Sequence, residues 1–138
     1  MTARSRSPAV AEPRVLLVDD ELSSAEVLAL VLAEDGYHVT VASNGQQALE
    51  RLELAAPDVL VTDFMMPGMH GADLVAAVRA MPGHAKLPVL MISAAPHGAL
   101  RTYDVRYDAF LRKPFSLDRF LETVRALAAA ARAGGPAS

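Results

Sequence analysis

The chain contains no cysteine among its 138 residues, which excludes a disulfide framework, a thiolate zinc site and thiol chemistry. It also lacks a long apolar run. Hydrophobic residues make up 52%, yet charged and small residues interrupt each stretch, and none approaches the roughly 18 residues of a membrane span. Met1–Pro13 has no apolar core of the signal-peptide kind and reads as a disordered tail, so a cytoplasmic location is expected. There is no P-loop and no G-x-G-x-x-G turn to cradle a nucleotide. The histidines His38, His70, His84 and His97 are scattered without metal-ligand spacing, and surface or loop roles are expected for them. No basic stripe of the nucleic-acid-binding kind is present. The net charge of −3 is unevenly spread. From Gly98 onward seven Lys/Arg face four Asp/Glu, a net of +3, and the first 97 residues therefore carry −6. Solvated helix faces explain this best, with a mildly basic docking surface in the last third as the alternative.

What the chain does have is alternation. Short apolar runs exchange with segments of helical period, the pattern of βα units around a parallel sheet in a single α/β domain. Strands are expected at Val15–Val18, Tyr37–Val41, Asp58–Thr62, Leu87–Ile92 and Ala109–Leu111. Helices are expected over Ser23–Asp35 (Val27, Leu28, Val31 and Leu32 inward), after an Asn44 cap (Ala48, Leu49 and Leu52 inward), and over Gly71–Met81 (Leu74, Val75 and Val78 inward). The last helix, capped by Ser116, carries Leu117, Phe120, Leu121, Val124, Leu127, Ala128 and Ala131 on one stripe and ends at Gly134-Gly135-Pro136. Pro96–Asp108 supplies at most a shortened or irregular fourth helix, making five helices in all.

Charges close three of the apolar runs. Asp19 and Asp20 follow the first, Asp63 the third, and Lys113-Pro114 the fifth. In an open parallel sheet those ends lie side by side in one crevice. Three carboxylates held together would push at least one pKa upward, and a hard divalent cation such as Mg²⁺ removes the conflict. Asp63 has no adjacent acid and is free to act as a nucleophile toward a phosphoryl donor. Phosphoryl transfer needs counter-charge more than acid–base groups; the cation supplies one and Lys113 the second, while Ser93 offers a hydroxyl. Each element has a plainer reading alone. Asp-Asp is often a helix cap, a single Asp before Met-Met-Pro a turn former, and Lys-Pro surface punctuation. The conjunction at strand ends favours chemistry.

Asp19-Asp20-Glu21, the segment from Asp63 through Phe64-Met65-Met66-Pro67-Gly68-Met69-His70 to Gly71, Ser93-Ala94, and Phe110-Leu111-Arg112-Lys113-Pro114-Phe115 together resemble a response-regulator receiver domain of two-component signalling. The resemblance covers residues 14–132, leaving tails at 1–13 and 133–138. It implies a doubly wound (βα)5 flavodoxin-like sheet of order 2-1-3-4-5 with helices on both faces. It further implies that Asp63 accepts a phosphoryl group from a histidine kinase or phosphotransfer protein. Asp20 would ligate Mg²⁺ (or Mn²⁺) directly, Asp19 mainly through water, and Met65 through its backbone carbonyl. Lys113 would neutralise the phosphoryl group beside a cis Lys113-Pro114 bond, and Ser93 with Phe110 would form a switch pair.

Where the pattern usually has a small Ala-Gly-Ala turn before Phe110, this chain has Val105-Arg106-Tyr107, so that bend must be remade. The Ser93–Lys113 interval is also short by a residue or two. Both departures fall in the output face of the fourth helical segment, fifth strand and last helix. Phe110, where tyrosine is commoner, leaves ring burial as its only handle. Met65 and Ala95 would flank the phosphoryl group without orienting a water, which implies a long-lived phospho-aspartate. A stand-alone switch with protein partners, a possible homodimer, and no direct nucleic-acid or membrane contact is expected, with no turnover of a separate substrate. The alternative is a receiver-shaped scaffold indifferent to phosphate. A dehalogenase-type phosphatase would need Asp-x-Asp after the first strand and a cap insertion, and neither is present.

Overall fold

Strands buried on both faces have no use for a polar face, which is why the apolar runs of this chain are continuous rather than alternating. The structure, a computed structural model, describes residues 12–95 and 106–134. β1 (Arg14–Val18), β2 (His38–Ala42), β3 (Val59–Asp63), β4 (Val89–Ser93) and β5 (Ala109–Arg112) pair in parallel as a five-stranded sheet of order β2-β1-β3-β4-β5. This is the doubly wound arrangement expected. α1 (Leu22–Glu34), α2 (Gly45–Ala55), α3 (Gly71–Arg79) and α4 (Leu117–Gly134) surround it.

The sheet separates two cores. Leu16, Val18 and Leu60 pack with Ala48 and Leu52 of α2 and with Leu74, Val75 and Val78 of α3. On the other face Val15, Leu17 and Val61 meet Leu28 and Leu32 of α1 and Phe120, Val124 and Ala128 of α4. Phe120 is fully buried, and its ring lies 5.8 Å from that of Phe115 at 24°. Two caps are as expected: Asn44 Oδ1 accepts the Gln47 N–H at 2.8 Å, and Ser116 Oγ accepts the Arg119 N–H at 3.1 Å.

Some details differ. Among the described residues there are four helices rather than five. The expected fourth falls mostly on residues 96–105, outside those described, and residues 106–108 are not helical. Several strands sit one or two residues later than expected, so Asp63 and Ser93 are the last strand residues rather than the first loop residues. Val27 is 50% exposed, and Ala25 takes its inward place on α1. Leu117, at the start of α4, is 41% exposed rather than part of the buried stripe.

Truncating Phe120 removes the largest fully buried side chain among the described residues. Phe120→Ala should lower the unfolding free energy by about 3–5 kcal/mol, read from the midpoint of a urea titration with unchanged slope.

Candidate functional site

The hydrogen-bond ladder of β1 continues one residue past the strand: Asp19 N–H donates to the Ala42 carbonyl at 3.1 Å. Asp19 is therefore held as firmly as a strand residue. Its Oδ1 accepts the Glu21 N–H at 3.0 Å, turning the chain away into α1. The residue that caps α1 is Glu21, without a side-chain cap bond. The Asp-Asp pair is thus not spent on a helix cap. Asp19 is buried and Asp20 exposed.

Asp63 ends β3 and is 5% exposed. The Phe64 N–H donates to the Ile92 carbonyl at 2.8 Å, and the Gly71 N–H to the Phe64 carbonyl at 2.7 Å, which cinches the loop 64–70 at its neck. Only glycine permits this closure, since a Cβ on Gly71 would lie 2.5 Å from the Asp63 carbonyl oxygen. Thr62 Oγ1 donates to that same carbonyl at 2.9 Å. Met65, next in the loop, is 61% exposed. The ring of His70 stacks on Phe64 at 5.7 Å.

The other two strands complete the crevice. Ser93, at the end of β4, is buried, and its Oγ accepts the Ala95 N–H at 3.0 Å, leaving its proton free for another partner. The Lys113 N–H donates to the Ser93 carbonyl at 2.9 Å, and the Lys113-Pro114 peptide is cis. Lys113 Nζ lies 3.0 Å from Asp63 Oδ1. Phe110 sits further back on β5 in register with Met91, half-buried, its ring 5.9 Å from Tyr107. The bend that Arg106 must make is held from outside: Arg79 donates to the Arg106 carbonyl at 2.6 Å and to Asp108 Oδ2 at 3.3 Å.

Asp19, Asp20 and Asp63 each present a carboxylate oxygen within 4.8 Å of the others. Burial, together with the hydrogen-bonding and charged Asp19 carboxyl, pushes Asp63 up from 3.8 to about 7 in spite of Lys113. Burial alone would pull the Lys113 ammonium down, but the Asp63, Asp19 and Glu21 carboxylates outweigh it and hold it above its ordinary range. A hard donor set of this kind, in a crevice of about 380 Å³ lined also by Ser24 and Phe115, suits a small divalent cation. Two residues of the motif were given no role by the sequence reading. Glu21 was one acid among several, and Gly71 an ordinary helix opening whose tight approach to Asp63 no local pattern announces.

The Asp63 carboxyl has a stability consequence with a definite sign. Its folded pKa lies above the unfolded value, so the folded state holds the extra proton between about pH 4 and pH 7. Stability therefore falls as pH rises through that window. Asp63→Asn should lack this slope and, without divalent cations at pH 8, should melt at least about 3 °C above the parent, the shift of roughly 1 kcal/mol. Equal melting temperatures at pH 8 would contradict the electrostatic account.

Comparison with known proteins agrees with this geometry. Residues 15–125 match the family model of the response regulator receiver domain. The chain is 35% identical over 119 residues to the DNA-binding response regulator MtrA of Mycolicibacterium paratuberculosis, a match covering 82% of this chain and 50% of that protein. It thus spans about half the length of the curated relatives it matches. Among solved structures, the chemotaxis protein CheY4 of Vibrio cholerae superposes with a TM-score of 0.80 at 31% identity, covering 85% of this chain and 99% of that one. The response regulator TrrA of Thermotoga maritima, solved with Mg²⁺-BeF, gives a TM-score of 0.73 at 30% identity, covering 83% and 98%. No described helix is long and apolar enough to cross a membrane. By the family-model match across most of its length, and by these relatives, the chain belongs to the response regulator receiver domain family.

Proposed function

We propose that the chain is a phosphorylation-controlled switch in which Asp63 receives a phosphoryl group from the phosphohistidine of a histidine kinase or phosphotransfer protein. Receiver domains are signalling modules of two-component systems that do not turn over a separate substrate, and they bind Mg²⁺ at an acidic cluster of this kind. The observation that carries the proposal is the buried Asp63 carboxylate, paired with Lys113 at 3.0 Å and facing Asp19. Asp63 reacts as the carboxylate: one oxygen forms the new O–P bond while the P–N bond of the donor breaks and its electron pair stays with the imidazole. Lys113 remains against the transferred oxygens, and the free proton of Ser93 turns to one of them.

Asp20 and Asp63, with Asp19 through water and the Met65 carbonyl, are the residues that would hold Mg²⁺. Bound there, the ion supplies positive charge against the phosphoryl oxygens. Once the Ser93 hydroxyl leaves the Ala95 N–H, space opens behind it for the Phe110 ring. The signal then passes to a protein partner across β5 and α4, with self-association on the same face as a second use of it. Nothing in this scheme requires nucleic acid or a membrane.

The test is Mg²⁺-dependent labelling by a small acyl phosphate, read by intact mass. Asp63→Asn should abolish the adduct, and Asp20→Asn should weaken Mg²⁺ binding about tenfold or more, equivalent to roughly 1.4 kcal/mol. Labelling that persists in Asp63→Asn would overturn the proposal. The flanks of the acceptor predict its lifetime. Exposed Met65 and half-buried Ala95 bear no group to orient a water, so the phosphorylated protein with Mg²⁺ should decay over many minutes. A half-life of seconds would refute this point alone.

A further inference from the structure

β2 is an edge of the sheet, with a neighbour only on the β1 side. The His38 N–H donates to the Pro13 carbonyl and the Ala42 carbonyl accepts the Asp19 N–H, so His38, Thr40 and Ala42 turn their backbone groups toward β1. By the two-residue period of a strand, Val39, Val41 and Ser43 turn theirs outward. Such a row invites another strand unless something covers it. Two side chains of α2 cover its upper half: Gln47 Oε1 accepts the Ser43 N–H at 2.9 Å, and the Arg51 guanidinium donates to the Val41 carbonyl. No described side chain caps Val39 with a hydrogen bond.

Beside this open half lies a groove of about 500 Å³ between β2 and the last turns of α2. Arg14, His38, Thr40, Arg51 and Leu54 line it, and it has no acidic lining residue. Leu54, at 88% exposure, is the most exposed large hydrophobic residue described. The chain as a whole carries −3, so three basic side chains around one leucine at an open sheet edge stand out from the background.

We propose that this edge docks an extended, acidic segment of another protein, which adds as a strand beside Val39, sets an apolar side chain on Leu54 and places carboxylates against Arg14, His38 and Arg51. Strand addition supplies affinity through main-chain hydrogen bonds, and alternate side chains supply selectivity. Charge complementarity selects this occupant. A second copy of the chain would bring the same cations edge to edge. Residues 1–11 of the chain itself carry Arg4 and Arg6 and no acid. A nucleic-acid strand would answer the charge but could neither pair with the Val39 backbone nor use Leu54.

The proposal stands apart from the chemistry at Asp63 and is tested on the full chain. The probe is a fluorescein-labelled, end-capped peptide of about eight residues that alternates Asp or Glu with Val or Leu, followed by anisotropy. We expect a Kd below about 100 µM at low salt, equivalent to roughly 5–6 kcal/mol, with the largest amide shifts at Val39 and Val41. Leu54→Asp and Arg14→Glu, both at exposed positions, should each weaken binding about tenfold or more while leaving acyl-phosphate labelling of Asp63 intact. A peptide with Lys in place of the acids should not bind. Absence of binding by the acidic peptide, binding that both variants retain, or equal binding by an oligothymidylate of the same charge would each overturn the proposal.

Discussion

Everything at the carboxyl end of this sheet depends on one unfavourable burial. Asp63 is nearly sealed from water beside Asp19, and the charged form of such a pair is disfavoured both by desolvation and by like charge. A single ammonium, Lys113, stands against it. The folded chain holds this arrangement because β1, β3 and β5 are fixed by two cores that have nothing to do with the charges. The stability lost at the crevice is supplied by leucines, valines and Phe120 elsewhere, a division common to functional sites. The conflict also defines what the site accepts. Its carboxylates suit a hard cation, and its lysine suits an anion delivered next to that cation.

Backbone closure matters as much as charge. Asp63 sits where three hydrogen-bonded necks meet: Phe64 to Ile92, Gly71 to Phe64, and Lys113 to Ser93. Each joins a residue at or next to the site to the strand or helix alongside, so the reacting groups ride on the sheet rather than on free loops. The tolerance is small, because one methyl group on Gly71 would overlap the Asp63 carbonyl. Arg79 performs a comparable closure away from the site. It ties the carbonyls of Ala85 and Leu87 ahead of β4 to the Arg106 carbonyl and Asp108 ahead of β5. These bonds fix the level at which the chain enters β5.

These contrasts explain what could be read from the sequence. A charge directly after an apolar run is a local signal, and Asp19, Asp20, Asp63 and Lys113 were legible for that reason, as were the strands and the caps at Asn44 and Ser116. The side of a helix facing the core is a weaker signal when apolar residues exceed the space available. Val27 and Leu117 match the stripe yet are exposed, while Ala25, Leu28 and Leu32 fill the buried side of α1. Contacts between distant residues leave no trace in spacing. The replacement of the turn glycine by Arg106 was visible, but its partner Arg79 lies 27 residues away in the chain. Nor could the Gly71–Asp63 approach be seen, since a glycine opening a helix looks the same whether or not a carbonyl lies beneath it.

The two edges of the sheet are not equivalent, and the difference follows from where the charges lie. β5 carries Phe110 and leads into Lys113, whose ammonium touches Asp63, so that edge is in direct contact with the acceptor. β2 meets the site only at its far end, where the Ala42 carbonyl receives the Asp19 N–H. Its open half, around His38 and Val39, is three to four residues back along the strand, roughly 10–13 Å at the usual rise. That exceeds the Debye length of about 8 Å at physiological salt. A phosphoryl charge added at Asp63 is therefore largely screened from Arg14 and His38, and the β1–β2 ladder gives it little mechanical access. Under the proposed function, a partner held at β2 would stay bound in both states, while β5 and α4 would report which state is present. On this division the fold would join a constant attachment at one edge to a variable signal at the other.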